Sequence, residues 1–229
     1  MLELNPFPQP TAQSTTDMVF DALYKAVVQL DLPPGSRLSE AEVAERLQVS
    51  RQPVRDAFFR LASRGFLSIR PQRATLVTKI SEAEVLHAAF IRIALETACM
   101  KEVIARISDD DLARLQSLLA AQAEAAARSD SGTFHALDEA FHAQLCQIGG
   151  QPKLWRLIHE QKGHMDRARY LSLSFNQAMA HAEHMEIFAA LTARDATAAV
   201  TRLEAHLNKI RTHLDQIRRD HSAYFEQDS

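Results

Sequence analysis

Apolar residues recur along this chain with a helical period almost throughout. Between Thr16 and Leu30 they fall at Val19, Phe20, Leu23, Val27 and Leu30, one face of a helix. Pro33-Pro34-Gly35 ends that run as a turn. Ser39 with Glu42 has capping-box spacing and predicts a short helix to Leu47. Ser50 then caps a third helix, with Pro53 in its first turn and Val54, Ala57, Phe58 and Leu61 as the buried stripe. Gly65 ends it. Two β-prone runs follow, Phe66–Arg70 and Thr75–Thr78, around Pro71-Gln72-Arg73.

Past Thr78 the pattern is helical only. Helices are predicted from Ser81 to Ile107, Ser108 to Arg128, Thr133 to Ile148, Pro152 to Leu173, Phe175 to Ala193 and Asp195 to His221. Ser129–Gly132 is a polar break, and Gly149-Gly150-Gln151-Pro152 is the clearest stop. The fold class is mostly α: an N-terminal winged helix-turn-helix, then an all-α antiparallel bundle of about six helices. Residues 1–15 read as a flexible arm, 16–79 as the winged domain and 80–225 as a helical domain, to which the resemblance given below assigns effector binding and dimerisation, jointed near Thr78–Ser81.

Composition narrows the class. The 229 residues are 46% hydrophobic and 24% charged, so disorder of the whole chain is excluded. No run of 18 uncharged apolar residues exists, so no membrane span is expected. Cys99 and Cys146 have no CxxC spacing, which excludes a disulfide framework and fits a reducing cytoplasm.

Net charge changes the picture only when divided. Residues 1–79 carry ten Lys and Arg against eight acids, and the remainder sixteen against 21. Residues 51–73 hold six Arg and one acid, Asp56, whereas all ten histidines follow residue 80. A basic nucleic-acid reader and a separate site-bearing part are implied. On the third helix, Gln52 and Arg55 lie opposite Val54, and Arg51 sits at the N-terminus. Arg pairs with guanine and Gln with adenine, while Ser50 and the helix N-terminus suit a phosphate. Arg70 and Arg73 sit on the wing.

The stretch PPGSRLSEAEVAERLQVSRQPVRDAFFRLASRGFLSIRPQRATLV closely resembles the DNA-binding domain of GntR-family transcription regulators. The resemblance implies DNA contacts at Arg51, Gln52, Arg55 and Arg73. Ala74 stands where the family wing has Gly. Phe59 replaces a usually polar residue and is read as packing on the second domain, with contact to a thymine methyl or simple exposure as the alternatives.

In the second half, Asp138 and His142 share a helix face at i, i+4, and His184 and His206 lie on two further helices. Such a set suits Zn²⁺ first, or Ni²⁺, Fe²⁺ or Mn²⁺. Spacing alone leaves these histidines equally readable as satisfied core residues. This half resembles the FCD domain of the FadR subgroup, nearer its VanR-like branch. The matching stretches are Ile91-Arg92-x-x-x-Glu96, Leu137-Asp138-x-x-x-Phe-His142, Glu183-His184-x-x-Ile and the run ending in His206-Leu207. The resemblance implies that Asp138, His142, His184 and His206 bind a divalent transition metal beside a pocket for a small carboxylate. Arg92 is the first arginine for that carboxylate, equally readable as an i, i+4 partner of Glu96. Arg167 and Arg169 follow.

The function expected is a ligand-responsive regulator, a repressor, acting as a cytoplasmic homodimer on an approximately palindromic duplex DNA operator. A metal sensor and a metal-dependent enzyme using the same Asp/His set are the alternatives.

Overall fold

A computed structural model describes residues 13–70 and 74–227, and of 173–176 the backbone only. The chain forms two compact units that meet between Lys79 and Ile80.

The first unit has α1 (Thr15–Val28), β1 (Arg37–Leu38), α2 (Glu40–Leu47), α3 (Arg51–Ser63), β2 (Leu67–Ser68) and β3 (Thr75–Val77). Its core joins Val19, Phe20, Leu23 and Val27 of α1 to Val54, Ala57, Phe58 and Leu61 of α3. That is the stripe that the 3.6-residue period requires. The strands form an antiparallel sheet in the order β1-β3-β2. Sequence periodicity missed β1, because two residues carry no alternation. Gln48 makes the turn between α2 and α3 at φ 53°. Residues 1–12 of the expected arm, and the Pro71-Gln72-Arg73 wing turn, lie outside the described residues.

The second unit has α4 (Glu82–Arg106), α5 (Asp109–Ala127), α6 (Ser131–Ile148), α7 (Pro152–Gln161), α8 (Gly163–Thr192), α9 (Ala196–Asp220) and a 3-10 turn, Ser222–Tyr224. Helix α8 packs against α4, α5, α6, α7 and α9. The core joins Met100 and Val103 of α4, Leu115 and Leu119 of α5, Phe141 and Leu145 of α6, Ile187 and Leu191 of α8, and Leu203 of α9. No helix among the described residues is long and apolar enough to cross a membrane.

Several expectations are corrected. The helix break placed near residue 174 falls instead at Lys162-Gly163. No Gly or Pro interrupts the later stretch, whereas the Lys162 side chain turns inward to Glu139 at 2.5 Å and to Asp166. Ser39 and Ser50 occupy N-cap positions without a side-chain cap bond. The capping box forms at Ser108 and Asp111 instead. Phe59 is 59% exposed on α3. Cys146 is buried in contact with Cys99 and stands outside the Asp138–His206 cluster.

Helices α4 and α6 approach closely at Gly149. A Cβ there would lie 2.6 Å from the Cys99 sulfur. Gly149→Ala should therefore cost about 1–3 kcal/mol by overpacking. Urea denaturation of a double-mutant cycle checks the cause: the same change made beside Cys99→Ala should cost less.

Candidate metal centre and DNA-facing surface

Four side chains from three helices converge inside the second unit. Asp138 and His142 come from α6, His184 from α8 and His206 from α9. One ligand atom from each lies within 4.8 Å of all the others, and all four residues are buried. The His184 and His206 Nε2 atoms are 3.2 Å apart, and His184 Nε2 is 3.5 Å from Asp138 Oδ1.

The outer edge of each imidazole is fixed. His142 Nδ1–H donates to Glu96 Oε2 at 2.6 Å, His184 Nδ1–H to Gln122 Oε1 at 2.8 Å, and His206 Nδ1–H to Glu183 Oε2 at 2.8 Å. The Gln122 amide nitrogen donates to the Leu137 carbonyl at 3.1 Å, which turns its oxygen toward His184. Burial would raise Glu96, but Arg92 and then His142 bring it down to about 2. Burial would raise Glu183 too, but His206 and Lys209 together lower it through their hydrogen bonds and charges. Ionised carboxylates accept only, so the Nδ1 protons are assigned by their partners.

Each Nε2 is thereby left to carry a lone pair inward. His142 Nε2 and Asp138 Oδ1 are buried without a hydrogen-bond partner. Burial holds His184 well below the ordinary imidazole value, with His206 adding to the effect, and burial lowers His206 too. A proton placed between the two rings is therefore disfavoured, and two lone pairs face each other at 3.2 Å. A divalent cation removes that conflict. Outer hydrogen bonds that orient ligating histidines are the usual support of such sites. The residues present fit a transition metal.

Asp138 is held ionised from its other side. Burial would raise it, but Arg169 and the neighbouring His142 and His184 keep it well below the carboxylate range. Arg169 Nη2 donates to Asp138 Oδ2 at 2.8 Å. Arg92 Nε donates to Glu96 Oε1 at 2.6 Å, and this pair is buried rather than exposed. Both arginines line one pocket, with His206, Lys209, Met179 and Ile210 among its walls. Arg92 Nη2 is buried without a hydrogen-bond partner, and Arg169 Nη1, also without a hydrogen bond, forms an ion pair with Asp166 Oδ1 at 3.7 Å. Arg167 is not among the lining residues; burial lowers it to about 10, with the Glu226 charge opposing.

Glu96, Gln122 and Glu183 were not assigned a role in the sequence. Gln122 had one signal, as a lone amide within an alanine run. His135 was also passed over, and it groups with Asp138 and Glu139. There the Lys162 ammonium already sits against Glu139.

In the first unit, Arg60 pairs with Asp17 at 2.7 Å and lies over the Phe20 ring, as does Arg64. Two of the six arginines thus brace α1 against α3. Ser50, Arg51, Gln52 and Arg55 are exposed along α3, and Arg70 is exposed after β2. Arg55 pairs with Glu40 at 3.2 Å and Gln52 with Asp56 at 2.8 Å. Arg73 lies outside the described residues.

The family profile described as "Bacterial regulatory proteins, gntR family" matches residues 15–77, and that of the "FCD domain" matches 87–209. The chain is 36% identical over 228 residues to the HTH-type transcriptional repressor RspR of Escherichia coli (strain K12), covering 99% of this chain and 98% of that protein. Among solved structures, E. coli McbR/YncC superposes with a TM-score of 0.76 at 26% identity, over 90% of this chain and 99% of that one. A transcriptional regulator from Rhodococcus sp. RHA1 shares the fold, with a TM-score of 0.73 at 24% identity over 90% and 98%.

The site's ionisation sets an expected pH dependence. His184 and His206 bind fewer protons folded than unfolded, so acid favours the unfolded chain. Without metal, stability should begin to fall as pH drops through 6.5, the ordinary imidazole value. It should fall further from 4.5 toward about 2 as Glu96 protonates. Urea denaturation at stepped pH checks this. His184→Asn with His206→Asn should flatten the upper part of the curve and leave the carboxylate part.

Proposed function

This chain belongs to the gntR family of bacterial regulatory proteins and carries the FCD domain, and on that premise we propose that it is a metal-dependent, acid-responsive repressor. It is a DNA-binding transcriptional regulator, as its relatives are, and not an enzyme. The finer reading concerns what controls it.

The observation that carries the proposal is the three-imidazole set with every Nδ1 committed outward. Asp138, His142, His184 and His206 hold a divalent transition metal, Zn²⁺ in the first instance. The ion supplies a Lewis-acidic anchor for an oxygen ligand. Arg92 bonds Glu96, which supports the set, and keeps Nη2 without a hydrogen bond, while Arg169 bonds Asp138 of the set and faces Asp166 with Nη1 at 3.7 Å. Two such forks suit a carboxylate. Binding the acid therefore touches the groups that position the metal ligands.

In the first unit, Arg51, Gln52 and Arg55 read base edges, with Ser50, Arg70 and Arg73 on the backbone or minor groove. The ion pair with Glu40 holds the Arg55 side chain out from α3 before DNA arrives. Two copies act together on an approximately palindromic operator. Phe90, 65% exposed on α4, supports pairing of the helical units. The name of the relative RspR as a repressor supports repression rather than activation. The site of action is the cytoplasm.

The test is thermal stability, on metal-loaded and chelator-treated protein, across a set of small organic acids. Zn²⁺ should raise the melting temperature of the parent chain, and His142→Ala or His184→Ala should abolish that rise. One acid should add a further rise that chelation removes. An acid shift that survives chelation would separate effector from metal. DNA affinity that follows Zn²⁺ alone would make the ion itself the signal. In a parallel assay on duplexes selected from a random pool, Arg51→Ala and Arg55→Ala should lose binding while keeping the Zn²⁺ shift. Unchanged DNA affinity in both would remove α3 as the reading helix.

A further inference from the structure

The chain crosses between its units at Ile80, and that residue is tied to the far end of the helical unit. Its N–H donates to the Tyr224 carbonyl at 2.8 Å, and its carbonyl accepts from the Glu226 N–H at 3.0 Å. This is a parallel bridge between Ile80 and Phe225, isolated from the sheet. A bridge of that size does not hold itself in water. Here both side chains are buried, Ile80 at 0% and Phe225 at 1% exposure, so apolar burial holds it. Glu82, in the first turn of α4, also pairs with Arg218 in the last turn of α9 at 3.3 Å.

The segment that makes this bridge continues α9. That helix presents His206 to the metal set and lines the arginine pocket. After Asp220 it turns through Ser222–Tyr224, with the His221 ring stacked on Tyr224, and reaches Ile80. One continuous stretch therefore touches the metal set, the pocket and the crossing residue.

We propose that residues 221–227 form a strap that fixes the root of the inter-unit linker, and that movement of α9 reaches the linker through it. A shift of α9 carries the Tyr224 carbonyl and the Glu226 N–H with it, and Ile80 must follow or let go. Packed contacts of this kind switch between discrete arrangements rather than deform smoothly. The transmission half of the proposal rests on the metal reading above; the anchoring half does not.

The experiment is hydrogen–deuterium exchange on the full chain, with and without Zn²⁺, followed in peptides spanning residues 78–85. Two variants are compared with the parent. Phe225→Ala empties the buried seat. Glu226→Pro removes the N–H that Ile80 accepts together with the carboxylate that acts on Arg167, so Glu226→Gln, which keeps the N–H and loses the charge, is its reference, and the pair decides the matter should the first variant fail to fold. Without metal, both variants should exchange at the linker on the order of tenfold faster, with the helical core unchanged. Zn²⁺ should slow the linker in the parent and not in the variants, while slowing peptides around 138–142 and 203–207 in all three. Equal linker exchange in the parent and both variants would overturn the strap. A Zn²⁺ effect on the linker that is equal in all three, or absent from the parent while the core responds, would overturn transmission. Zn²⁺ slowing no peptide would overturn the metal reading, and the metal-free comparison would still judge the strap.

Discussion

Three imidazole nitrogens with their lone pairs turned inward, beside one ionised carboxylate, form the constraint around which the helical unit is organised. Such a group is unfavourable in a dry interior unless something positive completes it. Its placement is not a by-product of helix packing. Glu96, Gln122 and Glu183 each come from a different helix and each accept one Nδ1 proton. The Gln122 amide is itself fixed by the Leu137 carbonyl. The arrangement therefore dictates polar residues at buried positions of α4, α5 and α8 that apolar residues would otherwise fill.

Charge is divided between the units for a physical reason. In the DNA-binding unit, arginine does two jobs. Arg60 and Arg64 cover Phe20 and join α1 to α3, while Arg51, Arg55 and Arg70 stay at the surface. In the helical unit, Arg92 and Arg169 are interior and each faces a carboxylate. Breaking a buried pair by removing one partner leaves an uncompensated charge, which costs about 3–5 kcal/mol. The interior arginines are thus fixed in place beside the clustered Asp138, His142, His184 and His206.

The helical stripes were legible because Val54, Ala57, Phe58 and Leu61 obey the 3.6-residue period. The four clustered residues were legible as types and spacing, yet period alone left them equal to core histidines. What separates the two readings is the orientation of each ring, and that depends on Glu96, Gln122 and Glu183 lying opposite in space. No one-dimensional spacing encodes it. The misplaced break near residue 174 has a similar origin. Lys162 ends α7 by turning its ammonium inward between Glu139 and Asp166, and a lysine in a helical pattern reads as solvent-facing. The strand at Arg37–Leu38 and the bridge at Ile80 exist only through partners distant in the chain.

A regulator of this build must connect an interior event to a surface one. A ligand shifts the equilibrium only by binding two arrangements with different affinity. In the proposed reading the pocket arginines meet part of that demand: Arg92 is two hydrogen bonds from the clustered residues, through Glu96 to His142, and Arg169 is one, directly to Asp138. An acid that draws on their free N–H groups competes with, or reinforces, the bonds that hold those carboxylates. Helix α9 meets the rest. It carries one metal ligand, forms a wall of the pocket and continues into the segment bonded to Ile80. In the proposed reading a difference in affinity is expressed at the linker while the core packed around Phe141 and Leu203 keeps its arrangement. Those two residues lie on the same helices as Asp138, His142 and His206, and their burial packs those helices together beside the cluster.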